Sequence, residues 1–433
     1  MEPGEPVLLI CNWFPPNAGI GGRRWAKFAK ELARRGYPVH VIRSTGTPQN
    51  LHSLWTRDVQ HPNIMHYPMP ARHPAVMTRW PLTSLQDKLL YRFWLRVLPL
   101  LTKGNYYDLG CLSRKPMLKL ATQQIQEHDI KHVIVTGAPF SLMAYAAELK
   151  MKFPQIHLTA DFRDPWTWGK EYGFATIGPE RLRHEKAQEA LVVKVADRVI
   201  ASTSSINDHL RSTYGGAPGR FITIPHALDP DDFTAPTRTN DGIYRMIYAG
   251  TWYSDQEAAQ YVEQLLRSFE SLRDKQPTLF AKTRFDLYVT DTGSDAFEEQ
   301  IRIRGLQDQV RFHKAISPQA VLARIAEADL ALVFLPESKK DIMVTKFNEL
   351  FFVGCPILHV GATGVVSRTI AERRMGASIR VEELEVELPR IISGERRIEI
   401  DEKADHSPYL LAHLTDRLLN EVLDDPDAPD HAA

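Results

Sequence analysis

The sequence predicts an α/β protein of two doubly wound, Rossmann-like domains, and three observations carry that expectation. The chain has 433 residues, too many for one ordinary core and suited to two. Short, almost wholly apolar runs alternate with amphipathic helical stretches in two blocks, the pattern of parallel strands buried on both faces. Between the blocks lies a polar stretch, Thr234–Gly242, with Pro236, Asn240 and Asp241, that has the composition of a hinge.

Composition narrows the function classes. Lys+Arg and Asp+Glu both number 53, so no global charge points to nucleic acid. Cys11, Cys111 and Cys355 are far apart and cannot pair evenly, which fits a reducing compartment. The N-terminus has no basic region before a long apolar run, and no run reaches the roughly eighteen apolar residues of a spanning helix. A cytoplasmic protein is expected.

In the first block, Pro6–Cys11 is a strand, Arg23 to Arg35 a helix stopped by Gly36, and Pro38–Arg43 a second strand. The connecting loop, Asn12 to Gly22, lacks the third glycine of a dinucleotide fingerprint and is too long for that turn, so NAD is rejected. Gly21-Gly22 before a helix still lets backbone approach a phosphate or sugar, with Arg23 or Arg24 as counter-charge. The plainer alternative is a flexible turn with two solvated arginines.

From Ser44 to about Lys131 the pattern loosens into an irregular, partly helical insertion with a strand at Asn63–Tyr67. Within it, Leu82–Lys103 spaces Lys88, Arg92 and Arg96 at i, i+4 and i+8 among leucines, Phe93, Trp94 and Val97. Such a basic amphipathic helix either lies in a membrane interface or packs its apolar side on the domain, and packing is the commoner outcome.

Regular alternation resumes with the strand His132–Thr136, the loop Gly137-Ala-Pro-Phe-Ser141 and a helix to Lys150. The strand Ile156–Ala160 ends in Asp161-Phe-Arg-Asp-Pro-Trp-Thr-Trp168. Ligands of open α/β sheets sit beyond the carboxyl ends of strands, so both loops belong to the ligand side. Asp161, Arg163, Asp164 and two tryptophans have the composition of a sugar site, where carboxylates bind hydroxyls and indoles stack on the ring. Equally, Arg163 pairing with Asp161 or Asp164 would only stiffen the loop. A helix over Glu180–Ala196, a strand Arg198–Ser202, a helix Thr203–Tyr214 and a strand Phe221–Ile224 lead to Pro225-His-Ala-Leu-Asp-Pro-Asp-Asp-Phe233. Asp229 and Asp231 alone make a poor metal site.

The second block opens with the strand Tyr244–Ala249 and then Gly250-Thr251, which either offers amides to a phosphate or is an ordinary turn. A helix from Asp255 to about Asp274, strands at Phe285–Thr290 and Val310–His313, a helix Ala315–Ala328 and an apolar strand Leu330–Leu335 follow. Next comes Val344–Leu358, a short helix with Thr345 as N-cap and Gly354-Cys355-Pro356 as its stop. Phe347, Leu350 and Phe351 share its packed face. Lys346 and Glu349 share another near the N-terminus, where Lys346 can neutralise a diphosphate and Glu349 can accept from ribose hydroxyls. Taken alone, Lys-x-x-Glu is more often a surface ion pair. Tyr409–Leu423 is a last amphipathic helix, and the Asp/Pro/Ala-rich tail from Asp424 is expected to be disordered. No His/Cys/Asp group has metal-ligand spacing, so no cofactor is expected.

Asp341 stands eight residues before Glu349, ahead of Gly354-Cys-Pro-Ile. This pattern resembles the donor site of retaining GT-B glycosyltransferases, in particular glycosyltransferase family 4. Phe14-Pro-Pro…Gly21-Gly22-Arg23 resembles that family's first loop. Pro225–Phe233 resembles the Asn-Gly-Val-Asp signature ending its first domain, with His226 and Ala227 replacing Asn-Gly. Gly137–Ser141 and Asp161–Trp166 resemble one branch of it. The first acid is Asp341 where relatives carry Glu, the Ser position is Val344, and Ala138-Pro139 stand where many relatives have a His.

The resemblance covers nearly all of the chain outside Ser44–Lys131. It implies an acceptor-side domain over 1–233, a linker over 234–243 and a nucleotide-sugar domain over 244–405, the two domains facing a cleft. A crossover helix over 406–423 would return to the first domain, before the tail 424–433. It implies a hexosyltransferase-like reaction from a nucleotide-diphosphate-sugar to a glycan or lipid-linked glycan, retaining and metal-independent, in cell-surface polysaccharide or glycolipid synthesis at the cytoplasmic membrane face. Gly21, Gly22, Arg23, Gly250, Thr251, Asp341, Thr345, Lys346 and Glu349 would bind the donor. Asp161, Arg163 and Asp164 would lie on the acceptor side. A non-hydrolysing nucleotide-sugar 2-epimerase of the same fold and a non-catalytic nucleotide-sugar-binding partner are the other readings.

Overall fold

The apolar runs of the sequence become the strands of two parallel sheets in a computed structural model, which describes residues 4–47, 51–79, 82–169, 173–174, 176–233, 241–250, 256–289, 295–313, 316–337, 340, 346–398, 400–401 and 403–423. Packing divides the chain into Met1–Ala227 with Leu411–Ala433, and Leu228–Leu410.

The first unit runs β1 (Val7–Ile10), α1 (Arg23–Arg34), β2 (Val39–Ser44), β3 (Ile64–Met69), α2 (Leu85–Leu101), α3 (Arg114–His128), β4 (His132–Gly137), α4 (Ser141–Lys152), β5 (His157–Phe162), α5 (Pro179–Val195), β6 (Arg198–Ala201), α6 (Ser204–Tyr214) and β7 (Phe221–Thr223). Its strands lie in the order β3-β2-β1-β4-β5-β6-β7, and every pairing is parallel. Side chains alternate across β1, so Leu8 and Ile10 enter one apolar cluster while Val7 and Leu9 enter the other. Two covered faces explain why β1, β4 and β5 are buried at every position.

The second unit runs β8 (Tyr244–Gly250), α7 (Gln256–Lys275), α8 (Pro277–Ala281), β9 (Thr283–Val289), α9 (Asp295–Ile303), β10 (Val310–His313), α10 (Pro318–Glu327), β11 (Leu330–Leu335), α11 (Lys346–Val353), β12 (Ile357–Gly361), α12 (Val365–Arg373), β13 (Gly376–Ile379) and α13 (Leu384–Ile392). Its order is β10-β9-β8-β11-β12-β13, again parallel. Both sheets reverse direction beside their first strand, the place where doubly wound folds bind ligands.

The chain then returns to the first unit as α14 (Leu411–Arg417), extended by a wider helical turn over Leu418–Leu423. Leu411, Leu414, Leu418 and Val422 are buried along one side of it. Arg35 donates to the Ala412 carbonyl at 2.9 Å and Arg417 to the Thr223 carbonyl at 3.2 Å. The C-terminal helix that the sequence places at Tyr409–Leu423 is observed over Leu411–Leu423, packed in the first unit.

Three departures from the sequence reading stand out. α3 occupies part of the stretch that read as irregular. It buries Met117, Ala121 and Ile125 but also Gln124, which dilutes the apolar stripe that would have marked it. Residues 228–233, grouped by sequence with the first domain, pack in the second unit: Leu228 N–H donates to the Tyr409 carbonyl at 2.8 Å, and the Phe233 ring lies 4.4 Å from Phe352. Finally, α2 turns most of its apolar side chains outward, with Leu98 its one buried residue among those described. Among the described residues, no helix is long and apolar enough to cross a membrane. The expected hinge residues 234–240 and the tail from Asp424 lie outside the described residues.

Candidate functional site

Three segments distant in sequence meet at the carboxyl edge of the first sheet. One is the turn entering α1. A Cβ on Gly22 would fall 2.2 Å from the Trp13 carbonyl oxygen, and one on Gly21 would lie 3.0 Å from Arg163 Nη1. Glycine is therefore demanded here by the protein's own backbone and by Arg163, a requirement met without any ligand. α1 begins at Arg23 with no side-chain cap and no acid in its first turn. Its N-terminal amides and partial positive charge suit an anion.

The second segment is the end of β5. Asp161 is fully buried. Its Oδ2 accepts from Trp25 Nε1 at 2.7 Å, Thr136 Oγ1 at 2.9 Å and Arg24 Nε at 3.2 Å. Thr136 is its register partner on β4. Arg163 donates to Asp164 at 3.0 Å and to the Gly21 carbonyl at 2.5 Å, while its own carbonyl accepts from Ser202 Oγ at 2.9 Å. The third segment is Pro225-His226, whose Pro225 carbonyl accepts from Arg24 Nη1 at 3.0 Å.

Electrostatics at this meeting point favour negative charge. Burial, and then the charges of Arg24, Arg23 and Arg163, hold the His226 imidazole well below its ordinary value, so it is neutral at neutral pH. Burial likewise pushes the Cys11 thiol up to about 12 and leaves it inert. Arg23, Arg24 and Arg163 thus bring positive charge to His226, while Asp161 pairs with Arg24 and Asp164 with Arg163. Arg24 Nη2 and Asp161 Oδ1 are buried without a hydrogen-bond partner among the described residues. An unmatched guanidinium N–H beside an uncapped helix N-terminus is the donor set of an anion site.

The expectation of an acceptor-side contact needs correction at Asp161. With no exposure and three donors on one oxygen, it acts as the carboxylate that holds Arg24, Trp25 and Thr136 in place. Arg163 and Asp164 are the partly open charged members of the motif. The sugar-stacking expectation fails for Trp166, which is fully buried, stacks on Phe140 at 5.1 Å and donates from Nε1 to Glu185 at 2.8 Å. Trp168 lies against His209, ring centroids 4.2 Å apart.

Sequence reasoning missed the acids behind this loop. Asp108, from the insertion, accepts from the backbone N–H of Phe140 at 2.7 Å and Ser141 at 3.3 Å, and from Ser141 Oγ at 2.5 Å. It occupies the N-terminus of α4, so the Gly137–Ser141 loop meets an internal carboxyl there, one that burial shifts upward against the pull of its donors. Glu189 accepts from Tyr214 Oη at 2.8 Å and from Thr167 Oγ1. Glu185 accepts from the Asn105 N–H at 2.7 Å as well as from Trp166. No local spacing links these acids to the motif they support.

Glu185 also sets a pH dependence. Burial raises its carboxyl from 4.5 to about 7, against the pull of its two donors. The folded state therefore keeps a proton that the unfolded chain releases, so stability is greatest at low pH and is lost as pH rises between those values. Thermal unfolding of the wild type is expected to lose roughly 3 kcal/mol of first-domain stability across that window, relative to Glu185→Gln, whose profile should be flatter. Identical profiles for the two would exclude the effect.

In the second unit, the packed face of α11 is as expected: Phe347, Leu350 and Phe351 are buried. Gly354 takes φ 70°, with Gly354 N–H on the Phe351 carbonyl at 3.0 Å and Cys355 N–H on the Leu350 carbonyl at 3.2 Å. These two bonds form a Schellman stop. Lys346 is the first residue of α11, and Glu349 is buried within its first turn. Gly250 closes β8, and the nearest described atom to a Cβ there is Tyr248 Oη at 3.6 Å, so no described neighbour requires a glycine. Thr251, Asp341, Thr345 and the Lys346 side chain lie outside the described residues. Among the described residues, no group of three His, Cys, Asp or Glu side chains is placed to hold a metal.

Residues 21–227 match the family of glycosyl transferase 4-like domains. No curated protein sequence matches the chain. Solved structures with similar folds include the sucrose-phosphate synthase of Thermosynechococcus elongatus, with 15% identity, 96% of this chain and 94% of that one covered, and a TM-score of 0.60. The lipopolysaccharide outer core galactosyltransferase WaaB aligns over 96% of this chain and 99% of its own, with 13% identity and a TM-score of 0.56. A UDP-N-acetylglucosamine 2-epimerase aligns over 97% and 96%, with 10% identity and a TM-score of 0.54. Two parallel α/β domains, a returning C-terminal helix and the similar solved structures together show a fold of GT-B architecture, whose residues 21–227 form a glycosyl transferase 4-like domain.

Proposed function

We propose that the protein moves a sugar from a nucleoside-diphosphate donor to a hydroxyl of a glycan or lipid-linked glycan, with retention and without a metal. The observation that carries this reading is the cationic cluster of Arg23, Arg24 and Arg163 around His226, at the uncapped N-terminus of α1 and inside the glycosyl transferase 4-like domain. Such fixed donors can stabilise the charge of a departing diphosphate in the role a metal ion plays elsewhere. Gly250, Thr251, Asp341, Thr345, Lys346 and Glu349 are the proposed donor residues of the second domain, and Arg163 and Asp164 the proposed acceptor-side contacts. Cell-surface polysaccharide or glycolipid synthesis at the cytoplasmic face of a membrane, with peripheral contact through residues 82–103, belongs to the same reading.

Titration calorimetry with UDP, GDP, dTDP and ADP, in chelator and again with added magnesium, tests it. One nucleotide is expected to bind equally in both buffers, and Glu349→Ala to weaken that binding by about 1–3 kcal/mol, the loss typical of a buried hydrogen-bonded carboxylate. Equal binding by Glu349→Ala would remove α11 from the donor site. The similar fold of a 2-epimerase supports a second reading, epimerisation of the nucleotide sugar. That reaction frees no nucleotide in its productive cycle, whereas transfer releases one per sugar moved, so nucleotide release with acceptor present separates the two.

A further inference from the structure

The helix α2 is built the wrong way round for a domain surface. Leu85, Leu89, Leu90, Phe93, Leu100 and Leu101 are between 46% and 85% exposed. At 100° per residue, these side chains spread over one side of the helix. Lys88 and Arg92 flank that side, Arg96 lies within it, and all three are exposed. The opposite side, with Leu98 fully buried and Tyr91, Trp94 and Leu95 half-buried, faces the domain. Trp94 stands edge-on to Phe93 at 5.4 Å, at the border between the two sides.

The outward face is held in position. Ser84 caps the helix by accepting from the Asp87 N–H at 2.9 Å. At the other end Arg181 of α5 donates to the carbonyls of Thr102 at 2.7 Å and Gly104 at 2.8 Å, and to that of Pro99. The helix is therefore fastened to the first domain while its leucines point away. Its one acid, Asp87, is paired with Arg79 at 3.1 Å.

We propose that this face of α2 docks on the surface of an anionic lipid bilayer, with the leucines and Phe93 inserted at the acyl boundary and Lys88, Arg92 and Arg96 at the headgroups. Charge selects this occupant. Leucine, aromatic and basic residues in one outward band match an interface that is apolar below and negative above. A second copy laid on the same face would bring the basic residues of one helix towards those of the other, with Asp87 already paired. The inference deepens the membrane part of the proposed function, yet needs neither donor nor acceptor, so a failed sugar transfer leaves it standing.

Flotation of the full chain with vesicles tests it, using phosphatidylcholine alone or mixed with phosphatidylglycerol. Binding is expected to the mixed vesicles and to fall with added salt. Lys88→Gln/Arg92→Gln/Arg96→Gln should lose roughly 5-fold per cation at low salt, and Leu89→Glu/Phe93→Glu should abolish binding. Both variants change exposed side chains, and unchanged circular dichroism confirms their folds. Wild type that fails to float with mixed vesicles, or a triple glutamine variant that floats as well as wild type, overturns the proposal. So does a concentration-dependent dimer that Phe93→Glu dissociates, because the face would then belong to a second copy.

Discussion

Asp161→Ala is expected to destabilise the first domain by about 3–5 kcal/mol, the cost of stranding a buried charge whose partner has been removed. The loss has three parts that act together. Arg24 keeps its hydrogen bond to the Pro225 carbonyl but loses its counter-charge. Trp25 Nε1 and Thr136 Oγ1 lose their acceptor in a region closed to water. Denaturant unfolding followed by tryptophan fluorescence measures it, with Asp164→Ala as the control. Asp164 is 22% exposed and its pair with Arg163 is partly solvated, so the control should lose no more than about 1 kcal/mol. Adding Arg24→Met to Asp161→Ala should recover part of the loss, because the stranded charge is gone. If the two single alanine variants unfold together, Asp161 does not organise this edge of the sheet.

The second large effect is expected at Trp166. Replacing it by Ala removes a fully buried indole packed between Phe140 and Phe162, 5.1 and 6.4 Å away by ring centroids. A cavity of that size costs about 3–5 kcal/mol, and Glu185 loses one donor as well. Trp166→Phe keeps an aromatic ring and should cost less, about 1–3 kcal/mol for the missing N–H. A sugar platform would behave in the opposite way, with stability unchanged and glycan affinity lost. Melting temperature and acceptor titration on the same preparations separate the two roles.

These two sites also mark where reading the sequence stopped short. The string Asp161 to Trp168 was legible as a loop at a strand end, because an apolar run followed by Asp, Arg and Pro is local information. Whether its tryptophans face ligand or core depends on Phe140, Glu185 and Glu189, which reach the loop only after the chain has folded. The bond from Arg24 to Asp161 spans 137 positions, and sheet order brings its ends together. The Gly21-Gly22 turn has the same character. Its glycines were visible, but their immediate cause, the Trp13 carbonyl and the Arg163 side chain, appears only when β1 and β5 lie in one sheet.

By itself, the sequence determined the features whose causes lie within a few residues. These are the buried strands such as β1 and β11, the helix α11 with its Gly354 stop, the amphipathic helix near the C-terminus and the two blocks of strand–helix alternation. Periodicity, turn chemistry and caps act over one or two helical turns. Tertiary structure alone decided which face of α2 meets the domain. Periodicity divides a helix into faces but does not say which finds a partner, and Leu98 and Arg181 settle that by anchoring the less apolar side. It alone also gathered Arg23, Arg24, Arg163 and His226, because strand order joins positions far apart in the chain, and burial together with the arginine charges then keeps His226 neutral.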